Sequence, residues 1–130
     1  MYYGALEAGG TKMVCAIGDA DKNIIDRISI PTGTPDQSVP AMIDYFKKYD
    51  ISALGIGTFG PADINPNSPT YGSIMRSPKK DWEGFSLYKA FTDALGCLVV
   101  VDTDVNAAAW GEYLYGALKG LNSGMYLTVG

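Results

Sequence analysis

The sequence predicts an α/β fold in which helices flank a mixed β-sheet. Three apolar runs separated by short connections occupy residues 2–30, and short connections favour antiparallel pairing. Beyond them, stretches with helical spacing alternate with apolar runs, which is typical of parallel strands joined by helices. Together the two patterns indicate one mixed sheet that carries helices.

The first three strands follow from apolar runs with turn residues between them. They are Tyr2–Leu6, Lys12–Ile17 and Ile24–Ile30. The connection over residues 18–23 is rich in Gly, Asp and Asn, which are turn formers. We therefore expect these strands to pair antiparallel in chain order.

A helix follows, and its beginning carries strong signals. Thr34 suits the N-cap, Pro35 the first helical position, and Gln37 can close a capping box. Apolar residues then recur at helical spacing and predict a buried stripe. They are Val39, Met42, Ile43 and Phe46. Pro40 conflicts with so early a start, so we expect the helix either to kink at Pro40 or to begin nearer Ser38.

A buried strand over Ala53–Ile56 leads into a glycine-rich loop, Gly57–Asp63. Gly55, Gly57 and Gly60 fit the spacing of a dinucleotide-binding motif, which must open a helix. Because Gly60 is followed by Pro61 rather than by a helical pattern, that site is excluded.

Residues 60–84 form a long excursion rich in proline, glycine and polar residues. Long irregular segments in compact domains are usually functional loops or linkers. Tyr71 and Trp82 favour a binding loop over a linker.

The last part of the chain predicts two more helices and two more strands. They are Phe85–Leu95, Leu98–Val101, Ala107–Ala117 and Met125–Val129. Gly96 is expected to end the first of these helices. The continuous run Leu98–Val101 is typical of a central parallel strand covered on both faces. A strand so near Gly130 suggests a piece of a longer protein.

Composition limits the function classes. The 130 residues suit one domain, and 47% hydrophobic residues with 18% charged residues is ordinary for a globular protein. A net charge of −4 argues against nucleic acid, and no apolar run is long enough to span a membrane. We expect a cytoplasmic protein with reduced thiols at Cys15 and Cys97. The absence of histidine among the 130 residues excludes sites that need one.

The turn between the first two strands carries a candidate phosphate site. Gly9 and Gly10 leave backbone N–H groups open, Thr11 adds a hydroxyl, Lys12 adds a positive charge, and Glu7 adds a carboxylate. Such groups suit a polyphosphate with its divalent metal. A plain β-hairpin with a surface lysine explains the same residues equally well.

A second candidate site lies at the end of the strand Leu98–Val101. Polar residues follow it from Asp102 to Asn106, at the sheet edge where α/β proteins bind ligands. Our interpretation is that Asp104 takes a proton from a substrate hydroxyl, while Asp102 supports the fold around it. The simpler interpretation is that Asp104 only caps the following helix. An EF-hand is excluded because Ala107 stands where that loop needs glycine.

Three motifs follow one another along the chain: Glu7–Lys12, Thr58–Asp63 and Asp102–Ala108. In this order they resemble the N-terminal lobe of ROK-family sugar kinases. Ser68–Gly72 in addition resembles a segment of the bacterial fructokinase branch. Glu7 and Thr103 stand where the family more often has Asp and Asn, and both fit that branch. The resemblance covers essentially the whole chain.

The resemblance implies a ribonuclease H-like lobe of the actin/Hsp70/sugar-kinase fold, with a mixed five-stranded sheet. Residues 1–120 would form the N-terminal lobe, and residues 121–130 the first strand of a second lobe. The implied site residues divide by role. Asp104 is the catalytic base, Gly9, Gly10, Thr11 and Lys12 face ATP, Glu7 lies near Mg²⁺, and Gly60, Pro61, Ser77 and Thr103 join Asp104 in binding the sugar.

By this resemblance the intact protein phosphorylates fructose to fructose 6-phosphate with ATP, and it is a homodimer. The zinc site of the family would lie downstream, so we expect this chain alone to have little activity. Glucose, mannose or an N-acetylhexosamine remains an alternative substrate. Two non-catalytic alternatives are a sugar-sensing ROK regulator and a structural lobe. The regulator is disfavoured because a helix-turn-helix should precede the first strand, which here begins at Tyr2.

Overall fold

The computed structural model describes residues 1–127, and its strands and helices form a mixed five-stranded sheet with three α-helices. The elements in chain order are β1 (Tyr2–Ala8), β2 (Lys12–Asp19), β3 (Ile24–Pro31), α1 (Pro35–Lys47), β4 (Ile51–Thr58), α2 (Leu87–Leu95), β5 (Leu98–Thr103) and α3 (Asp104–Tyr115). Strand order across the sheet is β3-β2-β1-β4-β5. The predicted fold is therefore confirmed at the level of sheet and helices.

Strand directions follow the lengths of the connections. β1, β2 and β3 pair antiparallel through their short turns, whereas β4 and β5 run parallel to β1 because helix-containing crossovers precede them. The carboxyl ends of β1, β4 and β5 consequently meet at one edge of the sheet. This edge carries both candidate sites.

One face of the sheet buries the core. Alternate residues of the strands, among them Leu6, Cys15 and Ile56, pack with apolar residues of α1 and α2. Phe46 of α1 meets Phe91 of α2 edge to face, with ring centroids 6.2 Å apart. On the opposite face α3 contacts β4 and β5, and within residues 1–127 a groove lies beside that helix.

The signals at the helix ends are confirmed in detail. α1 begins at Pro35, and Oε1 of Gln37 accepts a hydrogen bond from the N–H of Thr34 at 3.1 Å. Pro40 lies inside the helix without displacing its start. Gly96 ends α2 in the left-handed conformation with φ of 64°.

The position predicted for β5 was wrong. β5 lies at the sheet edge, and its apolar run alternates between a buried and an open side. Val99 and Val101 are buried, whereas Leu98 and Val100 are 67% and 53% exposed. An uninterrupted apolar run does not reveal how many neighbours a strand has, because that depends on the pairing of residues distant in sequence.

The last predicted strand, Met125–Val129, extends beyond the described residues. Residues 121–127 adopt no regular secondary structure, and Thr128–Gly130 lie outside the described residues. Within residues 1–127 no helix has the length and apolar character needed to cross a membrane.

Candidate active site

The open face of the sheet carries a groove of about 860 Å³. Glu7 of β1, Gly57 of β4 and Asp102 of β5 are in register across its floor, and α3 forms one wall. The polar side chains that line the groove include Glu7, Asp102 and Asp104. The structure thus brings the predicted base and the predicted metal ligand to the same cavity.

Asp104 is the first residue of α3, and the cap of that helix is Thr103. Oγ1 of Thr103 accepts a hydrogen bond from the N–H of Asn106 at 3.2 Å. The interpretation of Asp104 as the helix cap was therefore wrong. Oδ1 of Asp104 accepts from the N–H of Val105 at 2.8 Å, and no hydrogen bond within residues 1–127 reaches Oδ2. One carboxylate oxygen can therefore accept a proton from a ligand.

Gly57 sets how closely Asp104 approaches the sheet. A Cβ added to Gly57 would lie 3.0 Å from Cβ of Ala107 and 3.4 Å from Cα of Asp104. The first turn of α3 therefore rests directly on the backbone of β4. A larger residue at this position would displace the helix that carries the base.

Asp102 holds the same turn from the side. Its Oδ1 accepts hydrogen bonds from the N–H of Thr103 at 2.7 Å and from Nδ2 of Asn106 at 2.9 Å. These contacts match the supporting role expected for Asp102. Asp102 and Thr103 together fix the entry of the chain into α3.

The turn between β1 and β2 is tightly constrained. The N–H of Gly9 donates to the carbonyl of Lys12 at 3.0 Å, and a Cβ on Gly9 would lie only 2.7 Å from that oxygen. Thr32 holds the turn through two hydrogen bonds. Its hydroxyl donates to the carbonyl of Gly9 at 2.8 Å, and its N–H donates to the carbonyl of Thr11 at 2.9 Å. The turn lies beside the groove, and its residues do not line it.

Lys12 and Glu7 face the same side of the sheet. Met13 and Leu6 point into the core, so their neighbours Lys12 and Glu7 project from the open face, where both are exposed. A cation and a carboxylate therefore project from the same face at the end of the sheet that carries the turn.

The predicted sugar-binding residues divide into two groups. Gly60 lies beside the N-terminus of α3, since a Cβ on it would lie 4.0 Å from Cγ2 of Thr103, and Pro61 follows it in the same loop. Ser77 is only 3% exposed, and its Oγ accepts the N–H of Lys79 at 3.2 Å. Gly60, Pro61, Ser77 and Thr103 do not line the groove, whereas Asp104 does, so contact of the first four with a sugar stays a prediction.

The two aromatic residues that favoured a binding loop are structural. Trp82 is 1% exposed and donates from Nε1 to the carbonyl of Gly33 at 2.9 Å. The hydroxyl of Tyr71 accepts from the N–H of Val101 at 2.7 Å and donates to its carbonyl at 3.1 Å. Tyr71 thereby satisfies the backbone groups of Val101 at the free edge of β5. Their presence in the excursion is explained by packing.

Asp63 organises the tip of the same excursion. Its carboxylate accepts hydrogen bonds from the hydroxyls of Ser68 and Thr70 and from the N–H of Asn65. These bonds hold the pKa of Asp63 below its usual range, and the two hydroxyls contribute most to that lowering. The loop around Asp63 is thus ordered by its own side chains.

The residues present fit magnesium better than zinc. Mg²⁺ is usually held by one or two carboxylates together with substrate phosphates, and the exposed Glu7 meets that need. Within the described residues no three His, Cys, Asp or Glu side chains are grouped to hold a metal ion by themselves. Burial raises the pKa of Cys15 to about 12, so its thiol stays protonated and is a poor metal ligand.

Comparison with known proteins identifies the family. The sequence profile described as ROK family matches residues 3–130. The fructokinases of Pediococcus pentosaceus and Lactococcus lactis subsp. cremoris are 43% and 44% identical to the chain over 130 residues. The chain is covered completely in both alignments and spans 45% and 44% of the two relatives.

A solved structure has the same fold. The ROK-family glucokinase of Streptomyces griseus, in complex with glucose and AMPPNP, matches with a TM-score of 0.76 and 30% identity. The match covers 92% of this chain and 38% of the glucokinase. This match agrees with the fold that the motifs imply. The relatives named above and this structural neighbour are sugar kinases.

Proposed function

The chain belongs to the ROK family, and we propose that the natural protein is an ATP-dependent hexose kinase that converts fructose to fructose 6-phosphate. The observation that carries this proposal is the position of Asp104. Asp104 lines a groove that also contains Glu7 and lies beside the Gly9–Lys12 turn, and within residues 1–127 its Oδ2 accepts no hydrogen bond. A base, a carboxylate for a metal and a cationic turn are the groups that phosphoryl transfer needs.

Asp104 acts on the sugar in this proposal. Oδ2 accepts the proton of the hexose hydroxyl, whose oxygen attacks the terminal phosphorus of ATP. The bond from that phosphorus to the bridging oxygen breaks, and ADP leaves. General base catalysis of this kind contributes about 10²–10⁴-fold to the rate. Thr103, Gly60, Pro61 and Ser77 are proposed to hold the sugar or to shape the loops that do.

The turn acts on the nucleotide. Because the N–H of Gly9 is already bonded to Lys12, the turn offers the amides of Gly10 and Thr11, the Thr11 hydroxyl and the Lys12 ammonium. These groups bind and orient the phosphates of ATP, and Glu7 helps to hold Mg²⁺, which neutralises phosphate charge when bound.

The remaining parts of the proposal concern the natural protein. We place residues 1–120 in an N-terminal lobe and residues 121–130 at the start of a second lobe, with ATP and sugar in the cleft between them. The adenosine pocket and the zinc site would lie outside these residues. We also propose a cytoplasmic homodimer. The 130-residue chain alone is expected to have little activity.

A different hexose is the second candidate. The S. griseus protein is a glucokinase in complex with glucose, and it is 30% identical to this chain. The fructokinases above are more similar, at 43% and 44%, which favours fructose. Glucose, mannose and N-acetylhexosamines therefore belong in the substrate panel.

The test is phosphorylation of that panel by the natural protein, by its Asp104→Asn variant and by Asp93→Asn. Asp93 is an exposed residue of α2, on the other side of the sheet, and controls for loss of one negative charge. We expect fructose to be preferred and Asp104→Asn to lower kcat by at least about 10²-fold while Asp93→Asn leaves it unchanged. Sugar binding without phosphorylation by the natural protein would instead indicate a sensor.

A further inference from the structure

Lys79 belongs to the excursion after β4, yet it lies against the β1–β2 turn. A Cβ placed on Gly10 would be 3.4 Å from Cε of Lys79. The end of this lysine side chain therefore stands beside the glycine whose backbone amide is open. Nothing in the sequence spacing indicates that these two segments meet.

The backbone of Lys79 is held at this place. Its N–H donates to Oγ of the buried Ser77 at 3.2 Å, and its carbonyl accepts from the N–H of Trp82 at 3.0 Å. Trp82 is itself buried and bonded to Gly33, next to the start of α1. Two buried side chains thus anchor the short segment that presents Lys79.

The charges around Lys79 are not balanced. Its neighbour Lys80 pairs with Glu83, with 3.8 Å between Nζ and Oε2. No carboxylate lies within ion-pair distance of Lys79 or of Lys12 in the part of the chain that the structure describes. Two unpaired cations therefore flank the turn, and like charges repel unless an anion joins them.

We propose that Lys79 is a phosphate-binding residue that holds the polyphosphate of ATP together with the Gly9–Lys12 turn. This inference rests on the proposed kinase function and adds a residue from a different segment to its nucleotide site. The ammonium would contribute a charge-assisted hydrogen bond to a phosphate oxygen. Ser77 and Trp82 then have a function as well, because they set the position of that ammonium.

The test compares Lys79→Met and Lys79→Arg with Lys80→Met in the natural protein. Lys80→Met is the matched control, since it removes the same charge at the next residue. The Lys80 side chain is 68% exposed and paired with Glu83. We expect Lys79→Met to raise KM for ATP at least about tenfold and leave KM for the hexose unchanged. Lys79→Arg should keep KM for ATP close to that of the unaltered protein, because it keeps the positive charge. Lys80→Met should behave like the unaltered protein.

Direct binding separates this inference from the kinase proposal. Calorimetric titration with ATP and with inorganic triphosphate needs no turnover, so it applies even if no hexose is phosphorylated. A loss of affinity for both ligands in Lys79→Met alone supports the inference. Equal affinities in Lys79→Met and Lys80→Met, no binding by the unaltered protein, or a rise confined to KM for the hexose would each overturn it.

Discussion

Replacement of Gly57 by alanine tests whether the contact of α3 with β4 sets the position of Asp104. The added Cβ would stand 3.0 Å from Cβ of Ala107, whereas carbon atoms pack best at about 3.5–4.0 Å. Cβ of Ala107 cannot rotate away, because it is fixed to the helix backbone. α3 must therefore move outward by roughly 0.5–1 Å.

This movement has a cost in stability and a cost in rate. Overpacking of this size destabilises proteins by about 1–3 kcal/mol. A displacement approaching 1 Å can lower the rate about 10²-fold when it affects a group that must meet its substrate closely. We therefore expect Gly57→Ala to lower both the free energy of unfolding and kcat of the natural protein.

Gly55→Ala is the matched control for stability. Gly55 lies on the same strand and the same face, and a Cβ added there would have no heavy atom within 4 Å. Denaturant unfolding should show a loss for Gly57→Ala alone. Equal unfolding free energies for the two variants would refute the packing argument. A loss of stability with unchanged kcat would show that catalysis does not depend on where α3 places Asp104.

Two further predictions concern the sheet itself. Tyr71→Phe removes the hydroxyl that bridges the N–H and carbonyl of Val101. We expect the free energy of unfolding to fall by about 1–3 kcal/mol and hydrogen exchange at the Val101 amide to become faster. Tyr88→Phe, at an exposed tyrosine, is the control. Burial raises the pKa of Cys15 to about 12 in the folded protein, above the thiol pKa of the unfolded chain. At a pH between these two pKa values, the unfolded chain loses the thiol proton and the folded protein keeps it. Stability should therefore fall by up to about 1.4 kcal/mol per pH unit above pH ~9, and pH-dependent unfolding of Cys15→Ala should show a shallower slope.

Local signals in the sequence were sufficient for most elements. Thr34, Pro35 and Gln37 predicted the start of α1, and Gly96 predicted the end of α2, because caps depend on a few consecutive residues. α3 begins at Asp104 rather than at the predicted Ala107. Thr103 is the N-cap, and the first turn of the helix includes polar residues that were not recognised as helical in the sequence.

Features that depend on distant residues were not predicted. The edge position of β5 follows from pairing across the sheet, and the bond of Tyr71 to Val101 exists only because that edge is free. The contact of Lys79 with Gly10 likewise requires the excursion to fold back over the turn. In the sequence, Lys79 was merely one of two adjacent lysines.

The meeting of Glu7 and Asp104 could be predicted, although their segments are far apart in sequence. Glu7 lies near the carboxyl end of β1, and Asp104 directly follows β5. These two strands run parallel, and β4 between them keeps their carboxyl ends at one edge. Strand direction alone thus brings the two carboxylates to one groove. Their separation, however, depends on how deeply α3 sits on β4, which Gly57 determines. The chemistry of the site is therefore encoded by strand direction and its geometry by the absence of one side chain.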